Sequence, residues 1–284
     1  VERVAARLTY NSKAVPQYGT FKLAYQGVTQ PVLQGFPSNS VAIKQCYDKH
    51  HHPSVHLLEG TQQIVDLTKE IQCSQWAAAF TALVYDFMAH SEYGTPPFPI
   101  PKIDFVLPAL ALEDLSLAPP TRNHESRQVF MLEPYLNGPW RKLINNASAR
   151  PLAQAMTDDE GRLLCDFLVF CQHVQYLETK GCAYISDFQG ESVGHTLSDP
   201  QIMTNPTLGD NIFGGGNVGE AFNRFPAEHQ CSKFCKFYCL TFNIGSDNEE
   251  QDEEQDYGLR SRSSRSGSRP MSISQSKSDE VSAL

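Results

Sequence analysis

Nowhere does an apolar run approach the roughly 18 residues that a membrane helix needs. The N-terminal segment also lacks the charged, apolar and small-residue order of a secretory leader. A basic excess is missing too: Lys and Arg number 23 against 32 Asp and Glu, for a net charge of −9. That balance speaks against a nucleic-acid partner, and the missing apolar run against a membrane. Part of the charge is local, since residues 246–284 hold nine acids and five bases and leave the body near −5. Eight cysteines fall far short of the density of a small disulfide scaffold. Without a leader they are expected to be reduced thiols or metal ligands in a cytoplasmic protein. Internal repeats are absent.

What is present suits a core-forming chain. The 284 residues are 40% hydrophobic, enough for one large domain or two lobes. "TFKLAYQGV" (20–28) and "SVAIKQCY" (40–47) read as strands separated by Pro, Gly and Ser. Residues 61–90 read as a helix, with Ile64, Leu67, Ile71, Phe80, Leu83, Val84 and Phe87 at spacings built from three and four. "GTPPFPIP" (94–101) breaks the chain, and "IDFVLPALALE" and "QVFMLEPYL" follow as strand-like runs. Thr157-Asp158-Asp159-Glu160 forms a capping-box pattern before a second helix ending near Gly181, and "CAYISDF" reads as a strand after it. The body is expected to end near residue 243. Seven of the ten residues from Asp247 to Asp256 are acidic, and a Ser- and Arg-rich stretch follows. Such a segment has too little apolar area to offset its ordering entropy, so 244–284 is expected to be a disordered tail.

Three groups of residues carry chemistry. His229-x-Cys231-x-x-x-Cys235 places three soft ligands within seven residues, a set that favours zinc. The fourth ligand must come from elsewhere; His173 on the second helix is the first choice, with Cys239, Cys171 and His195 as rivals. Asp187, Gln189 and Asp199 offer oxygen donors in one polar loop after a strand, as a magnesium-dependent phosphotransferase requires. Lys44 lies inside an apolar strand, where an ammonium is costly unless it meets an anion such as phosphate. The bland alternatives are buried thiols, a polar turn and an edge-strand lysine whose head reaches water. Gly214-x-Gly216-x-x-Gly219 sits too late in the chain for a dinucleotide fingerprint and reads as a loop.

Taken in order, "DFQG", "SDPQI", "FGGGNVG" and "HQCSKFC" resemble the α-kinase family of atypical Ser/Thr kinases, over roughly residues 10–243. "FCQHVQYLETK" and "RKLINN" look like the fungal type. The resemblance implies an α+β, two-lobed atypical protein-kinase-like fold. A strand-rich N-lobe (1–136) would sit over a zinc-containing C-lobe (137–243), with ATP in the cleft. It implies ATP- and magnesium-dependent phosphoryl transfer to Ser or Thr of a protein substrate. Asp187 and Lys44 would be the catalytic residues. Gly19, Thr20 and Lys22 would belong to a phosphate-covering loop running to Ala24, Lys44 would contact phosphate, and Glu133 would be the hinge acid near the adenine. Gln189 and Asp199 would hold magnesium, and His173, His229, Cys231 and Cys235 would hold zinc. Gly214, Gly216 and Gly219 would contact peptide substrate. Lys22 departs from the pattern, which usually carries Arg there; charge is kept and the bidentate fork is lost. The alternative reading is a catalytically inactive, zinc-stabilised binding module of the same family.

Overall fold

The structure is a computed structural model that describes residues 3–48, 56–117, 120–121, 123–191, 194–209, 212–213 and 217–242. The tail from 244 onward, Gly214 and Gly216 lie outside the described residues. The upper half is a seven-stranded antiparallel sheet. It comprises β1 (Arg7–Tyr10), β2 (Gln17–Tyr18), β3 (Lys22–Gln30), β4 (Ser40–Asp48), β5 (His56–Leu57), β7 (Ala109–Leu112) and β8 (Val129–Pro134). Its spine runs β1-β3-β4-β8-β7, while β2 pairs with β3 and β5 with β4.

Alternation along β4 decides what this sheet presents. Val41 and Ile43 point to one side, where they pack with Phe130 and Leu132. Ala42, Lys44 and Cys46 point to the other, because successive strand residues face opposite ways. The register sets Ala24 and Met131 opposite Lys44, and Cys46 opposite Lys22. Glu133 lies opposite Ala42, so Lys22, Lys44 and Glu133 share one face.

Helix α1 (Gly60–His90) runs beneath that face. Leu67 packs there with Cys46, Val129 and Met131. The buried Gln63 fastens the helix to β4: its amide accepts from Cys46 N–H at 2.8 Å and donates to Cys46 C=O at 2.7 Å. Further along, Cys73, Ala77, Phe80, Val84 and Met88 enter a second, larger core. That core centres on α2 (Asp159–Glu178), which is buried nearly all round from Leu164 to Gln175. The N-cap of α2 is Asp158, whose carboxylate accepts from Gly161 N–H at 2.6 Å. Thr157, the first residue of the capping-box pattern, instead continues the 3-10 turn at Ala153–Met156 and has a helical backbone, unsuited to capping. The helix ends at Glu178, and Gly181 turns the chain with φ +70°.

Short strands complete the lower half. β10 (Ala183–Ser186) pairs antiparallel with β13 (Gln201–Thr204). β6 (Asp104–Phe105), β12 (Thr196–Leu197), β11 (Gln189–Glu191) and β9 (Trp140–Lys142) form a four-stranded sheet in that order. Two helices follow, α3 (Gly219–Glu228) and α4 (Lys233–Phe237), and Phe234 of α4 is buried against Phe167 and Phe170. Among the described residues no helix is long and apolar enough to cross a membrane.

Candidate active site and metal centre

A cleft of about 740 Å³ opens between the shared face of the upper sheet and the loops at β9–β13. Its lining includes Gly19, Thr20, Lys22, Lys44, Glu133, Asp187, Gln189 and Asp199. All eight residues expected from sequence to meet nucleotide or magnesium therefore come to one place.

Three lysines organise the cleft through their carboxylate contacts. Lys44 Nζ lies 2.7 Å from Glu133 Oε2, and both side chains are largely buried. Lys22 bridges Glu70 of α1 and Asp199, the latter at 2.6 Å. Lys142 Nζ lies 2.8 Å from Asp187 Oδ1, close enough for an ion pair although not aligned as a hydrogen bond. Burial alone would lower the Lys22 pKa, but Asp199 and then Glu70 outweigh it and raise the pKa above the usual lysine range. For Asp199, burial pushes upward, and Lys22 followed by Lys44 holds the carboxyl well below the usual range. Both groups are charged at neutral pH.

The two loop aspartates share a backbone feature. Asp187 and Asp199 have φ +57° and +58°, a left-handed conformation uncommon outside Gly. Each ends a strand-and-turn that delivers its carboxylate to the cleft. Gln189 joins them: its amide donates to Asp187 Oδ2 at 3.1 Å and to the Asp199 carbonyl at 3.4 Å. Gly19 closes the opposite wall, its N–H donating to Lys22 C=O at 2.8 Å and its carbonyl accepting from Tyr47 OH at 2.7 Å. Glu133 is more than a rim acid. Ser198 Oγ donates to its Oε2 at 2.7 Å, while Oε1 is buried with no hydrogen-bond partner among the described residues.

Sequence reasoning missed Glu70, Lys142 and Ser198. Glu70 sits on a helix face that looks solvated in sequence, and Lys142 and Ser198 stand in short polar segments. The buried strand lysine had a signal of its own, but its carboxylate partner is 89 positions away in the same sheet, two residues off register.

Below the cleft, His173, His229, Cys231 and Cys235 bring one donor atom each within 4.8 Å of one another. His173 Nδ1 is 3.8 Å from Cys231 Sγ, and His229 Nε2 is 3.7 Å from Cys235 Sγ. A tetrahedral zinc with ordinary bond lengths sets such nitrogen–sulfur edges at about 3.6 Å. Burial holds both imidazoles neutral, lowering His173 to about 3, with His229 adding to the effect, and His229 to about 4. Burial pushes the Cys235 thiol up to about 12. Neutral imidazoles are the ligating form, and a buried thiol releases its proton to solvent readily only when a metal cation takes the proton's place on sulfur. The donor set therefore fits a soft divalent ion. The rivals stand apart: Cys171 is buried in the core, Cys239 is exposed, and His195 lies 3.3 Å from Glu160. Gly219 opens α3 and does not line the cleft.

Comparison with known proteins gives a consistent picture. The model of the alpha-kinase family matches residues 17–235. Myosin heavy chain kinase B of Dictyostelium discoideum is 33% identical over 109 residues, 38% of this chain and 13% of that protein. Human transient receptor potential cation channel subfamily M member 6 is 30% identical over 117 residues, 40% of this chain and 5% of that protein. The chain thus corresponds to a small part of these relatives. Among solved structures, the alpha-kinase domain of myosin heavy chain kinase A in complex with AMP superposes with a TM-score of 0.56 at 19% identity. The match covers 84% of this chain and 92% of that one. An alpha kinase from Entamoeba histolytica matches with a TM-score of 0.57 at 18% identity, over 84% of this chain and 80% of that one.

Proposed function

Because the chain belongs to the α-kinase family, an atypical protein-kinase family, we propose that it transfers the γ-phosphate of magnesium-bound ATP to serine or threonine hydroxyls of protein substrates. The observation that carries this reading is the convergence of Lys22, Lys44, Asp187, Gln189 and Asp199 on one cleft. Phosphoryl transfer demands little covalent chemistry from the protein; it needs positioning and charge neutralisation.

In this reading Lys44, held by Glu133, neutralises phosphate oxygens. Lys22 turns from Asp199 toward phosphate while Glu70 keeps it anchored on α1. Gln189 and Asp199 would hold magnesium, which would offset the charge of the phosphates. Asp187 orients the substrate hydroxyl and takes its proton. The hydroxyl oxygen bonds to the γ-phosphorus as the bond to the bridging oxygen breaks, and that oxygen leaves on ADP. Glu133 Oε1, a buried oxygen with no donor among the described residues, would accept from an amino group on the base. His173, His229, Cys231 and Cys235 hold zinc as a structural ion.

The test compares the wild-type chain with Asp187→Asn. Calorimetry with magnesium·AMP-PNP should show similar binding by both, while phosphate transfer falls by about three orders of magnitude, since positioning survives but the proton acceptor does not. Transfer by Asp187→Asn at the wild-type rate would overturn the assignment.

A further inference from the structure

Ser198 is only 2% exposed and precedes Asp199, yet phosphoryl transfer as described gives it no task. Its hydroxyl occupies a junction. It donates to Glu133 Oε2 at 2.7 Å and accepts from Lys44 Nζ at 3.4 Å. Its backbone N–H donates to the Gln189 carbonyl at 3.0 Å. One side of the junction is the upper sheet, through Lys44 of β4 and Glu133 of β8. The other is the acidic loop, through Gln189 of β11 and the left-handed turn at Asp199.

We propose that Ser198 is a positioning residue: its hydroxyl fixes the Asp199 turn against the Lys44–Glu133 pair, so that the phosphate-contacting lysine and the metal-ligating carboxylate keep one spacing. This rests on the kinase reading of the cleft. The physical basis is the sharing of Glu133. Its Oε2 meets the Lys44 ammonium in an ion pair and accepts from the Ser198 hydroxyl, while Oε1 has no hydrogen-bond partner among the described residues. Hydrogen bonds to a buried carboxylate are stronger than neutral ones and directional. Without Ser198, Glu133 keeps Lys44, but the Asp199 turn loses its link to Glu133 and is held to the upper sheet by the Asp199 carboxylate alone, through Lys22 and, at 4.0 Å, Lys44. Lys22 also donates to Asp199 Oδ1 at 2.6 Å, but its ammonium is shared with Glu70 and ends a long flexible side chain, so it can follow a displaced turn where the short Ser198 side chain cannot. The spacing of phosphate and metal groups then becomes loose rather than absent.

The experiment uses the full chain with Ser198→Ala, Ser198→Thr, Glu133→Gln and the Ser198→Ala/Glu133→Gln double variant. Three quantities are read: kcat, the affinity for AMP-PNP without metal, and the gain in that affinity on adding magnesium. Ser198→Ala should leave metal-free affinity within about threefold, cut the magnesium-dependent gain about tenfold and lower kcat about ten- to hundredfold, the span of one charge-assisted hydrogen bond. Ser198→Thr should restore both. The two single substitutions should be non-additive in kcat, because Glu133→Gln exchanges the charged acceptor of the Ser198 hydroxyl for a neutral one and so weakens the same link that Ser198→Ala removes. That criterion decides the matter even if threonine does not fit the site. Additive effects, or a Ser198→Ala chain with the wild-type magnesium gain and kcat, overturn the proposal. A wild-type chain that binds no nucleotide overturns the kinase reading itself, which separates the two failures.

Discussion

Replacing Lys44 with methionine should do two separable things. It removes a phosphate-contacting ammonium, and it strands Glu133. That carboxylate is 3% exposed and, among the described residues, its Oε1 has no hydrogen-bond partner and only Ser198 would remain to donate to it. Breaking a buried ion pair from one side typically costs about 3–5 kcal/mol, mostly because the surviving charge is left uncompensated. For a body of this size each kcal/mol moves the melting temperature by roughly 2–4 °C, so Lys44→Met should melt roughly 6–20 °C below wild type. The Lys44→Met/Glu133→Gln double variant removes the stranded charge while keeping a donor and an acceptor in its place. It should recover most of that stability and none of the activity. Thermal melts and transfer assays on the wild type and both variants supply the data. If Lys44→Met melts within about 2 °C of wild type, or the double variant melts no higher, the ion pair does not carry the stability assigned to it.

Glu70→Gln leaves Lys22 with Asp199 as its single carboxylate, so magnesium must compete harder for Asp199. The magnesium concentration for half-maximal activity should rise about tenfold, a modest shift of about 1.4 kcal/mol; an unchanged magnesium requirement would refute the handover from Asp199 to Glu70. Folded protein should carry close to one zinc per chain, and Cys235→Ser should give insoluble or strongly destabilised protein, because structural zinc contributes folding free energy directly. Elemental analysis at less than half an equivalent would count against the site. Acid should destabilise the fold through the two buried imidazoles. Their pKa values are lowered in the folded chain, to about 3 for His173 and about 4 for His229, so the unfolded chain binds protons first. Stability should hold above pH 6.5 and fall as the pH drops from there toward 4; denaturation midpoints equal at pH 7.5 and pH 5 would contradict this.

The elements were legible in the sequence where one local period governs them. Residues 61–90 read as a helix, and Gly60–His90 is one. "SVAIKQCY" read as a strand with Lys44 inside it, and β4 is that strand, with Val41 and Ile43 packed in the core. The His/Cys spacing named three of the four donors that converge, and His173 completes them. What escaped were pairings made by tertiary contact. Glu70 looks like one more acid on a polar helix face until β3 brings Lys22 to it. Ser198 is a turn residue in sequence and a buried bridge in the fold, 65 positions from Glu133. Glu133 itself was expected at the adenine through family resemblance, and its partnership with Lys44 depends on strand register that the sequence does not display. The capping of α2 failed locally: Thr157 and Asp158 are both good caps, and the preceding 3-10 turn decides for Asp158.

The most direct measurement is phosphosite mapping by mass spectrometry. The purified chain would be incubated with magnesium, isotopically labelled ATP and a mixed protein substrate, beside an Asp187→Asn control. The account predicts label on serine and threonine residues, dependent on magnesium and nearly absent from the control. Stoichiometric magnesium·ATP binding with no label on any protein, including the chain itself, would contradict it and leave a nucleotide- and zinc-binding module in place of a kinase.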